Sequence, residues 1–127
     1  MPRLFDHLDF VESFLALSPL GLITDIDGTI SRPAPTPSEA QVSPICRNYL
    51  ALLSKQIKLV AAISGRSAAK VREMVGLEDI VYIGNHGLER WAKDKAILHK
   101  GAGQYPALME ATLQDLKSLL AIEGIIL

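Results

Sequence analysis

The stretch Leu22-Ile-Thr-Asp-Ile-Asp-Gly-Thr-Ile-Ser31 begins as a buried strand and ends as one should not. Its apolar run stops at two carboxylates one residue apart, Asp25 and Asp27, and then at Gly28 and Thr29. Burying unpaired charge is costly, so an interior strand gains nothing from two acids. Either the pair are turn formers, since Asp-Gly is a common turn, or a cation and an anion meet there.

Working outward, residues 4–17 predict a helix, with Leu4, Leu8, Val11 and Leu15 at helical spacing and Ser18-Pro19 as its stop. Leu20 to Thr24 is a short apolar strand. The proline-rich segment from Ser31 to Pro37 is a loop, after which Ser43-Pro44 reads as a cap followed by proline at the first helical position. Ile45, Tyr49, Leu52 and Leu53 give that helix its apolar face. Ile57 to Ile63 is nearly all apolar, as a strand covered on both faces should be. Ser67 caps a third helix that turns Ala68, Val71, Met74 and Val75 inward and ends at Gly76. Asp79 to Ile83 is a third strand, and Leu88 to Leu98, with Lys93-Asp94 at its middle, suggests a small hairpin. Pro106 to Ile122 is the longest helix, with Leu108, Met109, Leu113, Leu116, Leu119 and Leu120 as a core-facing stripe. Ile125 to Leu127 begins another strand.

This alternation predicts the α/β class: a Rossmann-like parallel sheet with right-handed crossovers and flanking helices. Ligands of such sheets bind outside the carboxyl ends of the strands. All three strands end in unusual polar sequence: Asp25-Ile-Asp-Gly-Thr29, Ser64-Gly-Arg66 and Gly84-Asn-His-Gly87. A carboxylate at a strand end can attack phosphorus, and a second acid past the turn can move the proton. Gly28 lets the chain turn and leaves amides to face a phosphoryl group. Ser64 can donate to a phosphoryl oxygen, Gly65 permits close approach, and Ser67 opens a helix whose N-terminus favours an anion. Two carboxylates would repel a phosphate, so a divalent cation is expected, and oxygen ligands suggest Mg2+.

Composition narrows the classes. The chain has 127 residues, 49% hydrophobic and 21% charged, enough for one domain with a real core and unlike a disordered chain. A net charge of -1 without a Lys/Arg cluster argues against wrapping nucleic acid. The single Cys46 cannot form an internal disulfide, and no Cys/His spacing suits structural zinc. Without an apolar N-terminal core or a run of membrane length, the expectation is a cytoplasmic protein with no membrane partner.

The segment Asp25-Ile-Asp-Gly-Thr29, with Ser64 after the second strand, resembles the first two motifs of the haloacid-dehalogenase-like phosphatases. The finer pattern is similar to the trehalose-6-phosphate phosphatases: the loop Arg32-Pro-Ala-Pro-Thr-Pro37, then Val60-Ala-Ala-Ile-Ser-Gly-Arg66, then Gly84-Asn-His-Gly-Leu-Glu89. The resemblance covers most of residues 20–127. It implies hydrolysis of a sugar phosphate, trehalose 6-phosphate first, through an aspartyl-phosphate. Asp25 would be nucleophile and metal ligand; Asp27 would be general acid/base and lend its carbonyl to the metal. Gly28, Thr29, Ser64 and Gly65 would bind phosphate, and Arg66, Asn85, His86 and Glu89 the substrate. Sucrose or mannosyl phosphates are the alternative substrates, and a non-catalytic remnant the alternative class. On a purely structural reading, Glu89 and Arg90 are a solvated pair, and Tyr82 and Trp91 pack in the core.

The family also has a downstream Lys, a later acidic cluster and a cap over the sugar, which find no match here. Residues 1–123 are therefore expected to be a partial core, lacking its C-terminal half, and 124–127 the start of a missing cap. Little or no turnover is expected of the chain alone, together with self-association through the exposed edge of the first strand.

Overall fold

Short apolar runs alternating with amphipathic segments form a five-stranded sheet in the computed structural model, which describes residues 6 and 8–119. In chain order the elements are α1 (Leu8–Leu15), β1 (Gly21–Asp25), α2 (Pro44–Gln56), β2 (Leu59–Ile63), α3 (Ala68–Val75) and β3 (Val81–Gly84). A tight turn at Asn85–Gly87 leads into β4 (Glu89–Ala92), β5 (Lys95–Leu98) and α4 (Pro106–Leu119). Pro44 opens α2, where its missing N–H costs no hydrogen bond. The Ser67 hydroxyl accepts from the Lys70 N–H at the start of α3, and Gly76 ends that helix in the left-handed region.

The strands lie in the order β1-β2-β3-β4-β5. The first three run parallel, and the hairpin adds two antiparallel strands. Lys93 and Asp94, at φ 50 and 64, form the hairpin turn, with the positive dihedrals that match strand twist. Helices α2 and α3 cover the sheet face of Leu22, Val60, Ala62 and Tyr82, and there the core forms with Leu50, Val71, Met74 and Val75.

Three packing expectations are corrected. Ile45, Tyr49 and Leu52 of α2 point outward at 67%, 63% and 54% exposure, whereas Leu50 is buried with Cys46 and Leu53 beside it. Two apolar stripes interleave on this helix, and the one that lets Arg47 reach the carbonyls of Met74 and Val75 is buried. The second face of β2 is covered only in part among the described residues: Ala61 is buried there, but Leu59 is exposed and its neighbours Ile23 and Val81 leave that face open on both flanks. The α4 stripe is not core either, since Leu108, Met109 and Leu116 are exposed. The start of the first predicted helix at residues 4 and 5, the end of the last one beyond 119 and the strand at 125–127 lie outside the described residues, as does the 124–127 boundary.

Tyr82 anchors this core, as the sequence suggests. Its hydroxyl donates to the Leu77 carbonyl and accepts from the Leu77 N–H at 3.0 Å. Burial raises its pKa above the usual phenol value. Tyr82→Phe strands both Leu77 groups and should cost about 1–3 kcal/mol in urea denaturation.

Candidate active site

Parallel register brings the three polar strand ends to one edge. Asp25 pairs with Ile63, and Ile63 with Ile83, so the chain leaves all three strands at the same level. Ile26 is fully buried, and that anchor leaves Asp25 and Asp27 on its two sides exposed. The Asp25 carboxylate takes no hydrogen bond or ion pair from the described residues.

The turn after Asp25 is tied into itself. The Ile26 carbonyl accepts from the N–H groups of Thr29, Ile30 and Ser31, and the Gly28 N–H donates to the Ser31 carbonyl. Gly28 supplies the left-handed residue this turn needs, at φ 80. The amides of Gly28 and Thr29, expected to face a phosphoryl group, are therefore already engaged.

The second and third strand ends clasp one another. Ser64 is buried, its hydroxyl accepting from the Arg66 N–H at 3.1 Å. The Asn85 N–H donates to the Arg66 carbonyl and the His86 N–H to the Ser64 carbonyl. These bonds accompany a left-handed backbone at Asn85 and His86, at φ 48 and 55, a region that Asn and His enter more readily than most non-glycine residues. A Cβ on Gly65 would lie 2.7 Å from Cε1 and Nε2 of His86, so the imidazole rests directly over that glycine.

Arg66 joins the second loop to the first. Its Nε and Nη2 donate to the two Asp27 carboxylate oxygens, each at 2.8 Å, and its Nη1 donates to the Pro37 carbonyl at 2.6 Å. The hydrogen bonds from Arg66, aided by its charge, hold the Asp27 carboxyl below the usual carboxylate range despite partial burial. In this arrangement Asp27 is an ion-paired carboxylate.

Glu89 is not half of a solvated pair. It is buried on β4 and its carboxylate accepts from the Ala68 N–H, while Arg90 is exposed. The first amide of α3 is thus occupied by the protein's own carboxylate, which competes with the expected anion at that helix end. Trp91 is half-buried, with the Arg72 guanidinium 5.3 Å from its ring centre.

The donors at this edge are oxygens, which suits a hard cation such as Mg2+. The Asp25 carboxylate and the Asp27 carbonyl would hold it. Among the described residues no group of three His, Cys, Asp or Glu side chains is placed to bind a metal. Two participants escaped the sequence reading. The Pro37 carbonyl could not be recognised from residue type, and Ser31 looked like the start of a loop. Its hydroxyl is buried beside the Asp27 turn without a hydrogen-bond partner. No helix among the described residues is long and apolar enough to cross a membrane.

Residues 23–113 match the family model described as Trehalose-phosphatase. The trehalose-phosphate phosphatase of Mycobacterium tuberculosis (strain H37Rv) is 30% identical over 129 residues, covering 99% of this chain and 32% of the relative. A probable trehalose-phosphate phosphatase of Oryza sativa subsp. japonica is 37% identical over 68 residues, 54% of this chain and 18% of the relative. The chain thus spans about a third or less of the length of these relatives. In fold it resembles the C-terminal domain of C. albicans trehalose-6-phosphate phosphatase, with a TM-score of 0.74 at 17% identity, over 88% of this chain and 39% of that one. A trehalose-6-phosphate phosphatase related protein gives 0.66 at 19% identity, over 79% and 43%. The family match spans the three strand ends and the loops they carry, and on that ground the chain belongs to the trehalose-phosphatase family.

Proposed function

We propose that this edge carries the nucleophile of a Mg2+-dependent phosphatase that converts trehalose 6-phosphate to trehalose and inorganic phosphate. The observation that best supports this reading is the level register of β1, β2 and β3, which sets Asp25 beside Ser64 and the Asn85-His86 turn. An Asp25 oxygen attacks phosphorus, the bond from phosphorus to the sugar oxygen breaks, and Asp27, once parted from Arg66 and having taken a proton from water, gives that proton to the sugar oxygen. Water then attacks the aspartyl-phosphate and returns a proton to Asp27, freeing phosphate and the Asp25 carboxylate. Mg2+, when bound, offsets the repulsion between the carboxylates and the phosphoryl oxygens. The Ser64 hydroxyl holds a phosphoryl oxygen, while Arg66, Asn85 and His86 line the approach. Glu89 acts from behind, through the start of α3. A cytoplasmic setting accords with the free Cys46.

Phosphate release under single-turnover conditions, with Mg2+ and excess chain, tests this reading. Trehalose 6-phosphate should be hydrolysed in preference to sucrose 6-phosphate and mannosyl phosphates; preference for another sugar reassigns the substrate. Release unchanged in Asp25→Asn would remove the nucleophile assignment.

The outer edge of β1 has no partner strand among the described residues, and Ile23 on the open face is 62% exposed. Such edges template pairing between chains, so self-association through β1 belongs to the same proposal. Sedimentation should show a dimer or larger species that Ile23→Lys shifts toward monomer. A dilution-stable monomer would remove this part.

A further inference from the structure

Arg66 makes more contacts than a substrate ligand needs. Its backbone is fixed to the turn after β3 by the Asn85 N–H and to Ser64 by the hydroxyl. Its side chain crosses to the first loop and makes three charge-assisted hydrogen bonds, two to Asp27 and one to the Pro37 carbonyl. The loop it reaches is closed at its neck, where Ser31 bridges to Val42 and the Ser43 N–H donates to the Ile30 carbonyl. Its middle carries Pro33, Pro35 and Pro37, whose fixed φ makes it a stiff flap. One guanidinium therefore fastens both the Asp27 turn and this flap to the second strand end.

The fastening is exchangeable. The Asp27 side chain is 44% exposed and that of Arg66 17%, so a competing anion can reach the pair from the Asp27 side. A phosphoryl group presents the same two-oxygen geometry to the guanidinium fork as a carboxylate, with greater charge. We propose that Arg66 is an anion-opened latch: a phosphoryl anion at the strand ends takes its guanidinium from Asp27, which frees the Asp27 carboxylate and the proline flap together. The inference rests on the phosphatase reading in taking a phosphoryl anion as the competitor. Arg66 is thereby a positioning residue for Asp27 as well as a ligand.

The test uses the whole chain with inorganic phosphate as the probe. The Glu39 N–H, bonded to the Thr36 carbonyl inside the flap, reports flap order by hydrogen exchange, and the Arg66 Nε–H resonance reports the fork. In Arg66→Gln, Glu39 should exchange about tenfold faster, equivalent to about 1.4 kcal/mol, with Val60 and Ala62 of β2 unchanged. Millimolar phosphate with Mg2+ should produce the same acceleration in the parent chain, move the Arg66 resonance, and add nothing in Arg66→Gln. If Arg66→Gln also loosens β2, Arg66→Lys takes its place; it keeps the charge, loses the fork, and should release the flap alone.

Unchanged Glu39 exchange in these variants overturns the latch. A flap loosened by substitution but not by phosphate, or loosened equally by chloride at matched ionic strength, overturns the anion opening. Neither result touches Asp25, whose failure would show separately in the Asp25→Asn comparison.

Discussion

Gly84→Ala is expected to lower the melting temperature by about 10 °C or more, a loss of about 3 kcal/mol or greater. Gly84 is buried where β3 meets the start of α3, in extended backbone that any residue can adopt. Space is what it lacks. A Cβ would stand 2.1 Å from the Ala68 nitrogen and 2.7 Å from both the Arg66 carbonyl oxygen and the Ser67 carbonyl carbon. All three are backbone atoms, so no rotamer change relieves the collision, and either β3 or the loop from Ser64 to Ala68 must move. Gly87→Ala provides the contrast: its Cβ meets nothing within 4 Å, and its cost comes only from a positive φ of 98, about 1 kcal/mol. Thermal melts of the two variants should differ clearly. Equal melts would mean that the strand end and the helix start are not in contact, and the site geometry would fall with that contact.

The second large effect concerns Asp25. Beryllofluoride mimics a phosphoryl group on a carboxylate, so with Mg2+ it should bind the chain and raise its melting temperature. Asp25→Asn keeps the side-chain size, removes the charge and the attacking oxygen, and should weaken that binding by about 100-fold or more, about 2.7 kcal/mol. Ser64→Ala should lose about tenfold, the share of one hydrogen bond to a charged oxygen. Asp27→Asn breaks the fork to Arg66 yet should retain the adduct, because Asp27 is assigned a proton and not the phosphorus. Calorimetric titration distinguishes the three. Full-strength binding to Asp25→Asn would move the nucleophile elsewhere.

The strand ends were legible because they break a local rule: apolar runs that stop at Asp25, Ser64 and Gly84 announce an edge where polar groups are used. The hairpin was legible for the opposite reason, since Lys93-Asp94 is where its alternating pattern turns. The buried face of α2 was not legible. The stripes Ile45-Tyr49-Leu52 and Cys46-Leu50-Leu53 are both apolar at helical spacing, and only the reach of Arg47 to the end of α3 decides between them. The role of Glu89 was hidden because its partner amide lies 21 positions earlier, and that of Arg66 because Asp27 lies 39 positions away. Residue type shows that a charge is present; only the fold shows which charge meets it. The engaged amides of Gly28 and Thr29 make the same point for backbone groups, whose partners composition does not reveal.

The open face formed by Ile23, Leu59 and Val81 also has a thermodynamic signature. Heat capacity of unfolding and denaturant sensitivity both scale with the surface newly exposed to water. Apolar area that is wet in the folded chain adds to neither. Unfolding should therefore be broad in urea and shallow in its temperature dependence for a chain of this length. Any surface that comes to cover the face would add a heat-capacity decrement on binding, which makes calorimetry a direct measure of how much of the sheet is closed.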